Sequence, residues 1–584
     1  MRALLGEGAE GNMRILSRQI FAGLRVAVYF FAAAGAMTMI AVNADGQDRS
    51  QTRSMVISKG GIVASESPLA SQAGVRILER GGNAVDAAIA TNAMMGVVEP
   101  MMNGIGGDLF VIVYDAKANK LYGLNASGWA PQGLTMEHLQ GLGLKDMPQS
   151  GVNSITVPGV VDGWQKLADK FGRKKLKEDL AAAIRTAQDG FPVPEWVAAY
   201  WAEEAEYLRK DEAATSLYLP GDHAPRVGGV FKNPELAASL TEIAERGRDA
   251  FYKGEISKKI LAAMKRHNGT MTAEDLAGFS SEWVEPISTT YRDWTVYEMP
   301  PNGQGMAALE MLNIMGTFPL GQKDYEFGSA NALHVMIEAK KLAYADMGKY
   351  LADPRGQKIP FATLISKDWA AERAKLIDPG RANCEVQAGE IPGGSDTTYL
   401  SVVDRDGNMV SLIQSNYSGF GSGIVAAGTG FALHNRGGLF VLDPKSPNAL
   451  AGHKRPRHTI IPGFAQLGET RMAFGIMGGW NQSQAHAQFI ANLADFKMNI
   501  QSAVEAPRFT KYTFNGCDVM MENRFNGKVR DELTAKGHQI KVLGTFSSSV
   551  GGGQAVLRDF AAGVNYGASD PRKDGQAVAE LPFE

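Results

Sequence analysis

The chain has 584 residues, 45% of them hydrophobic and 21% charged, an ordinary globular composition that excludes a disordered or fibrous protein. With 59 Lys+Arg against 62 Asp+Glu, the formal charge of -3 gives no global field for nucleic acid or an anionic membrane, so a small molecule is the expected partner. Two cysteines, Cys384 and Cys517, exclude a disulfide-rich scaffold and leave one possible bridge.

Arg14, Arg18 and Arg25 precede the apolar residues 26–42, and Val42-Asn43-Ala44 comes before Asp45. Charge, apolar run and cleavage site in that order predict a signal peptide over residues 1–44 and a protein that is secreted or periplasmic. A single membrane anchor competes, because the run is near the lower limit of about 17 residues for a span. Met13 is an alternative start, since residues 1–12 carry acidic groups that suit a leader poorly.

Residues 67–98 read as helical: Ala73, Ile77 and Leu78 recur at helical spacing, Gly81-Gly82 interrupts, and small residues resume from Ala84. Residues 109–114 and 121–124 are apolar on either side of a polar turn, the pattern of a hairpin. Residues 164–267 are mainly helical, broken at Pro192 and Pro194, with the charged residues 174–179 as a solvated face. Met299-Pro300-Pro301-Asn302-Gly303-Gln304-Gly305 is too rich in Pro and Gly for helix or strand. It predicts a rigid loop ahead of an amphipathic helix starting near Met306. No linker separates independent modules, so one large unit or two tightly joined halves are expected.

The chemistry gathers after residues 391–396, a run of small and turn-forming residues. Thr397-Thr398-Tyr399-Leu400-Ser401-Val402-Val403 is β-branched and aromatic, hence a strand. Asp404-Arg405-Asp406-Gly407-Asn408 supplies a turn, and residues 409–415 return as a second strand. A threonine heading a buried strand can turn its hydroxyl on the carbonyl before it, here that of Asp396. Shifting the acyl group from nitrogen to oxygen and hydrolysing the ester would leave Thr397 as a new N-terminus. Its α-amine, with a reference pKa of about 7.7–8.0, can take the proton from its own hydroxyl.

From here the sequence resembles the γ-glutamyltranspeptidase family of N-terminal-nucleophile hydrolases. The resemblance runs through Ser65-Glu66-Ser67-Pro68-Leu69-Ala70-Ser71, Gly81-Gly82-Asn83-Ala84-Val85-Asp86-Ala87-Ala88, Val97-Val98-Glu99-Pro100, Gly104-Ile105-Gly106-Gly107 and Tyr566-Gly567-Ala568-Ser569-Asp570-Pro571-Arg572. It implies a four-layer α/β/β/α sandwich, a large subunit over residues 45–396 and a small catalytic subunit over 397–584. It also implies Thr397 as nucleophile, Ser415 in place of the threonine that hydrogen-bonds the nucleophile's amine, and Gly478-Gly479 as the oxyanion hole. Glycines suit that role by letting a reacting carbonyl come close.

The resemblance breaks where the family holds a glutamyl head. Ser127 stands at the family's arginine and Leu439 at its amine-binding aspartate. Tyr417 replaces an asparagine, and His458-Thr459 replaces a serine pair. The connection over residues 440–454 is shorter than the lid-bearing loop of bacterial transpeptidases, which predicts a more open site. Asn435-Arg436-Gly437 and Gln482-Ser483-Gln484-Ala485-His486 are similar to the sub-branch that includes oxamate amidohydrolase. Arg436, with Arg455 and Arg457, could then bind a carboxylate bidentately, the alternative being that Lys454-Arg455-Pro456-Arg457 is a solvated basic turn.

The expected activity is therefore cleavage of a small acyl-amide, γ-glutamyl or non-glutamyl such as oxamyl or glutaryl, with water or an amine as acceptor. A dimer of processed pairs is an open alternative, and an uncut binding or structural protein is the competing class. No Gly-x-Ser-x-Gly elbow, phosphate loop or His-Glu-x-x-His site occurs, and nine histidines without ligand spacing predict no metal and no cofactor.

Overall fold

Side chains alternate across a strand, so a strand apolar on both faces must be covered twice. The strand Asp396–Val403 and its hairpin partner Met409–Tyr417 meet this condition. In the computed structural model, which describes residues 51–386 and 396–581, they are central strands of a seven-stranded antiparallel sheet. Its order is Gln576–Ala579, Ile62–Ser65, Asp396–Val403, Met409–Tyr417, Asp108–Asp115, Lys120–Ala126, Glu282–Val284. The second sheet, also seven-stranded and antiparallel, runs Val56–Ser58, Val564–Ser569, Gly553–Asp559, Thr470–Ile476, Gly463–Leu467, Trp294–Glu298, Ile287–Tyr291. Residues 1–44, the loop 391–395 and the side chain of Asp396 lie outside the described residues.

Tyr399, Val403, Met409 and Ile413 point inward and meet Phe464, Ala473 and Val556 of the second sheet. Their neighbours Leu400, Val402, Val410 and Leu412 point outward, onto the core that includes helices Pro68–Glu79 and Ala84–Val98. Each such side chain contributes about 1.5–3 kcal/mol when fully buried. On the far side, Met472, Phe474 and Ile476 pack on helices Gly305–Met315, Ala330–Tyr350 and Gln482–Ala494. The result is the expected α/β/β/α sandwich.

The helix pair forms as predicted, with Asn83 capping the second helix by accepting from the Val85 and Asp86 amides. Two expectations change. The helix after the Pro-Gly loop is not amphipathic, because every residue of Gly305–Met315 is buried between the second sheet and neighbouring helices. Asp179 is buried rather than part of a solvated face.

Cys384 and Cys517 are disulfide-bonded. Asn383 beside the bridge is gripped by the helix Ala330–Tyr350: its carbonyl accepts from Lys341 Nζ at 2.8 Å and its amide donates to Glu338 Oε2 at 3.2 Å. No helix among the described residues is long and apolar enough to cross a membrane.

Gly475 permits the close approach of the two sheets at the Thr397 strand. A Cβ there would lie 2.4 Å from the ring of buried Tyr399. Gly475→Ala is expected to cost about 1–3 kcal/mol through overpacking, read as a lower urea midpoint of unfolding.

Candidate active site

Asp396 pairs with Tyr417 and Thr398 with Gln414, so the register slips by one residue at Thr397. Such a bulge re-aims a side chain that regular pleating would fix. Thr397 is fully buried in the unbroken chain, and its Oγ1 donates to Ser415 Oγ at 3.3 Å. Ser415 Oγ also accepts the Tyr417 amide at 2.7 Å. Tyr417 sits at φ 80°, a conformation costly for a bulky side chain and held by its surroundings. On the other side the paired part of Ile62–Ser65 ends opposite Leu400. There Glu66 Oε1 takes over and accepts the Tyr399 amide at 3.0 Å. Burial pushes the Glu66 carboxyl up to about 7.

A charged core adjoins this hairpin. The guanidinium of Arg436 lies 4.7 Å from the Tyr417 ring centroid. Its Nε donates to Asp108 Oδ2 at 3.1 Å and Nη1 to Thr459 Oγ1 at 2.7 Å, while Nη2 is buried without a partner. Asp108 Oδ2 also meets His434 Nδ1 at 3.1 Å and His458 Nε2 at 2.9 Å, and Oδ1 accepts the Gly128 amide at 3.0 Å. Burial opposes the Asp108 charge, but His434 and His458 overcome it and hold the carboxyl well below the usual range. His458 is pushed down to about 3 by burial and by Arg436 beside it. Its Nδ1 accepts the Ile460 amide at 3.3 Å, which matches a neutral ring donating to Asp108 through Nε2.

The Pro-Gly loop braces the site. Asn302 Nδ2 donates to Ser127 Oγ at 3.2 Å and to Pro456 O at 2.7 Å, and its carbonyl accepts the His458 amide at 2.8 Å. Gln304 Nε2 joins Thr459 O and, at 2.8 Å, Gly479 O. Gly478 and Gly479 have φ of 126° and 55°, open to glycine and strained for other residues. They link the strand Thr470–Ile476 to the helix Gln482–Ala494.

Thr397, Ser415, Tyr417, Arg436, Thr459 and Gly479 thus form one continuous chain of contacts, with Gln304 as its last link, and His458 joins through Asp108. Asn435 lies beside this chain. Its Oδ1 accepts the Ser418 amide at 3.0 Å and its Nδ2 donates to Gln149 O at 2.7 Å, so its side chain shapes the loop. The solvated-turn alternative for residues 454–457 is overturned, since Arg455 and Arg457 are 2% and 3% exposed. Arg455 Nε donates to Ser127 O at 2.8 Å and Nη1 to Glu282 Oε2 at 2.9 Å. Burial pushes Arg457 down to about 10. Leu439 is fully buried in an apolar cluster with Tyr417 and Trp480. Sequence assigned Asp108 and His434 no role, and it named Glu66, Asn302 and Gln304 only as members of motifs. For Asp108 the local signal was a lone carboxylate directly before an apolar run.

Two facing antiparallel sheets with helical layers outside match the sandwich architecture expected of an N-terminal-nucleophile hydrolase. The family model described as gamma-glutamyltranspeptidase matches residues 70–580. The chain belongs to the γ-glutamyltranspeptidase family. It is 37% identical over 530 residues, 90% of this chain and 99% of the relative, to a glutathione hydrolase-like proenzyme of Bacillus subtilis (strain 168). It is 32% identical over 532 residues, 89% of this chain and 99% of the relative, to the oxamate amidohydrolase proenzyme of Klebsiella pneumoniae. The crystal structure of cephalosporin acylase from Bacillus halodurans superposes with a TM-score of 0.85 at 42% identity, covering 92% of this chain and 99% of that one. The protein is an autoprocessing acyl-amide hydrolase or acyltransferase, and the reading as an uncut binding protein is not favoured.

The neutral His458 makes stability depend on pH. Its folded pKa of about 3 lies below the ordinary 6.5, so as pH falls the unfolded chain takes up this proton first. Stability should fall between pH 6.5 and about 3, and Asp108, whose pKa is also depressed, acts in the same direction. Urea midpoints measured across this window should decline with a shallower slope in His458→Gln than in the wild type.

Proposed function

We propose that Thr397 is the nucleophile for both self-cleavage and substrate turnover. The observation that carries this is the Thr397 Oγ1 to Ser415 Oγ contact at the bulged head of a central strand. In maturation Oγ1 attacks the Asp396 carbonyl carbon, the C–N bond breaks, and the nitrogen takes the proton that Oγ1 gave up. Water then cleaves the ester, leaving an Asp396 carboxylate and a free Thr397 amine. In turnover that amine takes the hydroxyl proton as Oγ1 attacks an acyl-amide. The Gly478 and Gly479 amides receive the oxyanion, and the amine passes its proton to the leaving group. Water or an acceptor amine releases the acyl group by the same steps reversed. Residues 1–44 act as an export leader, a reading supported by a disulfide that belongs in an oxidising compartment.

The acyl group, in this reading, carries a carboxylate and no ammonium. The unpaired Nη2 of Arg436 is its partner, with the buried Arg455 and Arg457 adding positive charge. Leu439, enclosed by apolar neighbours, offers nothing to an α-ammonium.

Purified wild type on a reducing denaturing gel should show two pieces, the smaller beginning Thr-Thr-Tyr-Leu. Thr397→Ala should stay whole, and cleavage that survives in it would mean another nucleophile. Glutaryl or oxamyl amides should be turned over with higher kcat/KM than γ-glutamyl amides. Arg436→Lys keeps a charge beside Asp108 but removes the free nitrogen. It should raise KM about 10–100-fold, equivalent to about 1.5–3 kcal/mol for a charged hydrogen bond, while cleavage into two pieces persists. Efficient γ-glutamyl hydrolysis by the wild type would reject the substrate reading and leave the nucleophile assignment standing.

A further inference from the structure

At the end of the fold where the disulfide lies, His334 and Glu338 stand one turn apart on the helix Ala330–Tyr350. His538, just after the helix Gly527–Ala535, faces them. All three are buried, and one donor atom from each lies within 4.8 Å of the others. His334 Nδ1 is 2.8 Å from His538 Nε2, and His538 Nε2 is 3.8 Å from Glu338 Oε1. His334 Nε2 meets the Asp378 carbonyl at 2.8 Å. That contact makes Nε2 the protonated nitrogen and turns the Nδ1 lone pair toward the other two side chains. Metal-binding histidines are held in this way, by a backbone carbonyl on the far ring nitrogen.

We propose that His334, Glu338 and His538 form a binding site for a divalent transition-metal ion of the zinc type, with a fourth position left for water. Two imidazoles and one carboxylate suit Zn²⁺ better than the all-oxygen ions Mg²⁺ or Ca²⁺. Tetrahedral metal–ligand bonds of about 2.0–2.2 Å fit the cluster once the two imidazole nitrogens, 2.8 Å apart, separate by about half an ångström or a little more. Lys341 is the competitor. Its Nζ lies 2.5 Å from Glu338 Oε1 and 2.8 Å from the Asn383 carbonyl. The carbonyl can keep the ammonium when the ion takes the carboxylate oxygen. Nearby Lys536, whose Nζ donates to the Pro379 carbonyl at 2.6 Å, adds to the positive surroundings, so affinity is set by how well the three ligands outweigh these cations.

The site joins parts of the chain on either side of Thr397. His334 and Glu338 precede it and His538 follows it, so the ion would be a non-covalent tie beside the Cys384–Cys517 bridge. Its existence does not depend on where the chain is cut.

The test uses the full chain without a polyhistidine tag, stripped with chelator and then equilibrated with ZnCl₂ alone. Elemental analysis after dialysis should find one zinc per chain, and Tm should rise with ZnCl₂ concentration. His538→Gln should weaken binding at least tenfold, the loss already typical of changing an outer-shell group, and Lys341→Met should strengthen it. Co²⁺ in place of Zn²⁺ should give the visible absorption of a tetrahedral site in the wild type and not in His538→Gln. Substoichiometric zinc in the wild type, or equal zinc in wild type and His538→Gln, overturns the proposal. Should His538→Gln fail to fold, Lys341→Met and the cobalt spectrum of the wild type still decide it.

Discussion

Asp108 is the charge on which the site is built. It is completely buried, and its two oxygens serve Arg436, His434, His458 and the Gly128 amide. Removing a partner from a buried ion pair costs about 3–5 kcal/mol, because the remaining charge has no water to turn to. The carboxylate therefore fixes the Arg436 guanidinium over Tyr417, and Tyr417 in turn holds Ser415 through its amide. Asp108 is also the direct ladder partner of Ser415 on the neighbouring strand, so the hydroxyl pair of Thr397 and Ser415 is held beside this electrostatic centre.

The loop over residues 299–305 complements that centre. Asn302 and Gln304 meet backbone carbonyls of the segment that carries His458 and Thr459 and of the Gly479 turn. Side-chain amides suit this task, since one group can donate twice and accept as well. The buried helix Gly305–Met315 anchors the loop from behind. In the proposed mechanism, preorganisation of this kind would let backbone amides at Gly478 and Gly479 face a developing charge without moving to meet it.

The hairpin beginning at Thr397 was legible from sequence because its signals are local: β-branched and aromatic residues and a turn rich in Asp and Gly. The helix pair before it was legible for the same reason. The four layers came from family resemblance, since periodicity does not say which faces meet. Asp108 was missed because its partners His434, Arg436 and His458 lie far along the chain, 328 positions away for Arg436 and 350 for His458. For the basic run 454–457 sequence left a carboxylate site and a solvated turn both open, because nothing nearby in sequence reveals Glu282 or Asp353, which meet Arg455 across 173 and 102 positions. The histidines look scattered in sequence because the fold sets a His-x-x-x-Glu turn against a histidine 204 positions away.

The disulfide changes meaning when the chain is cut. In the unbroken chain it closes a loop between residues 133 positions apart, and such a crosslink stabilises chiefly by restricting the unfolded ensemble. Cleavage before Thr397 would open that loop and place the two sulfurs on different polypeptides. Unfolding would otherwise become a dissociation, with a stability that varies with protein concentration. With the bridge intact the reaction keeps a molecularity of one, and the halves remain each other's neighbours at any dilution.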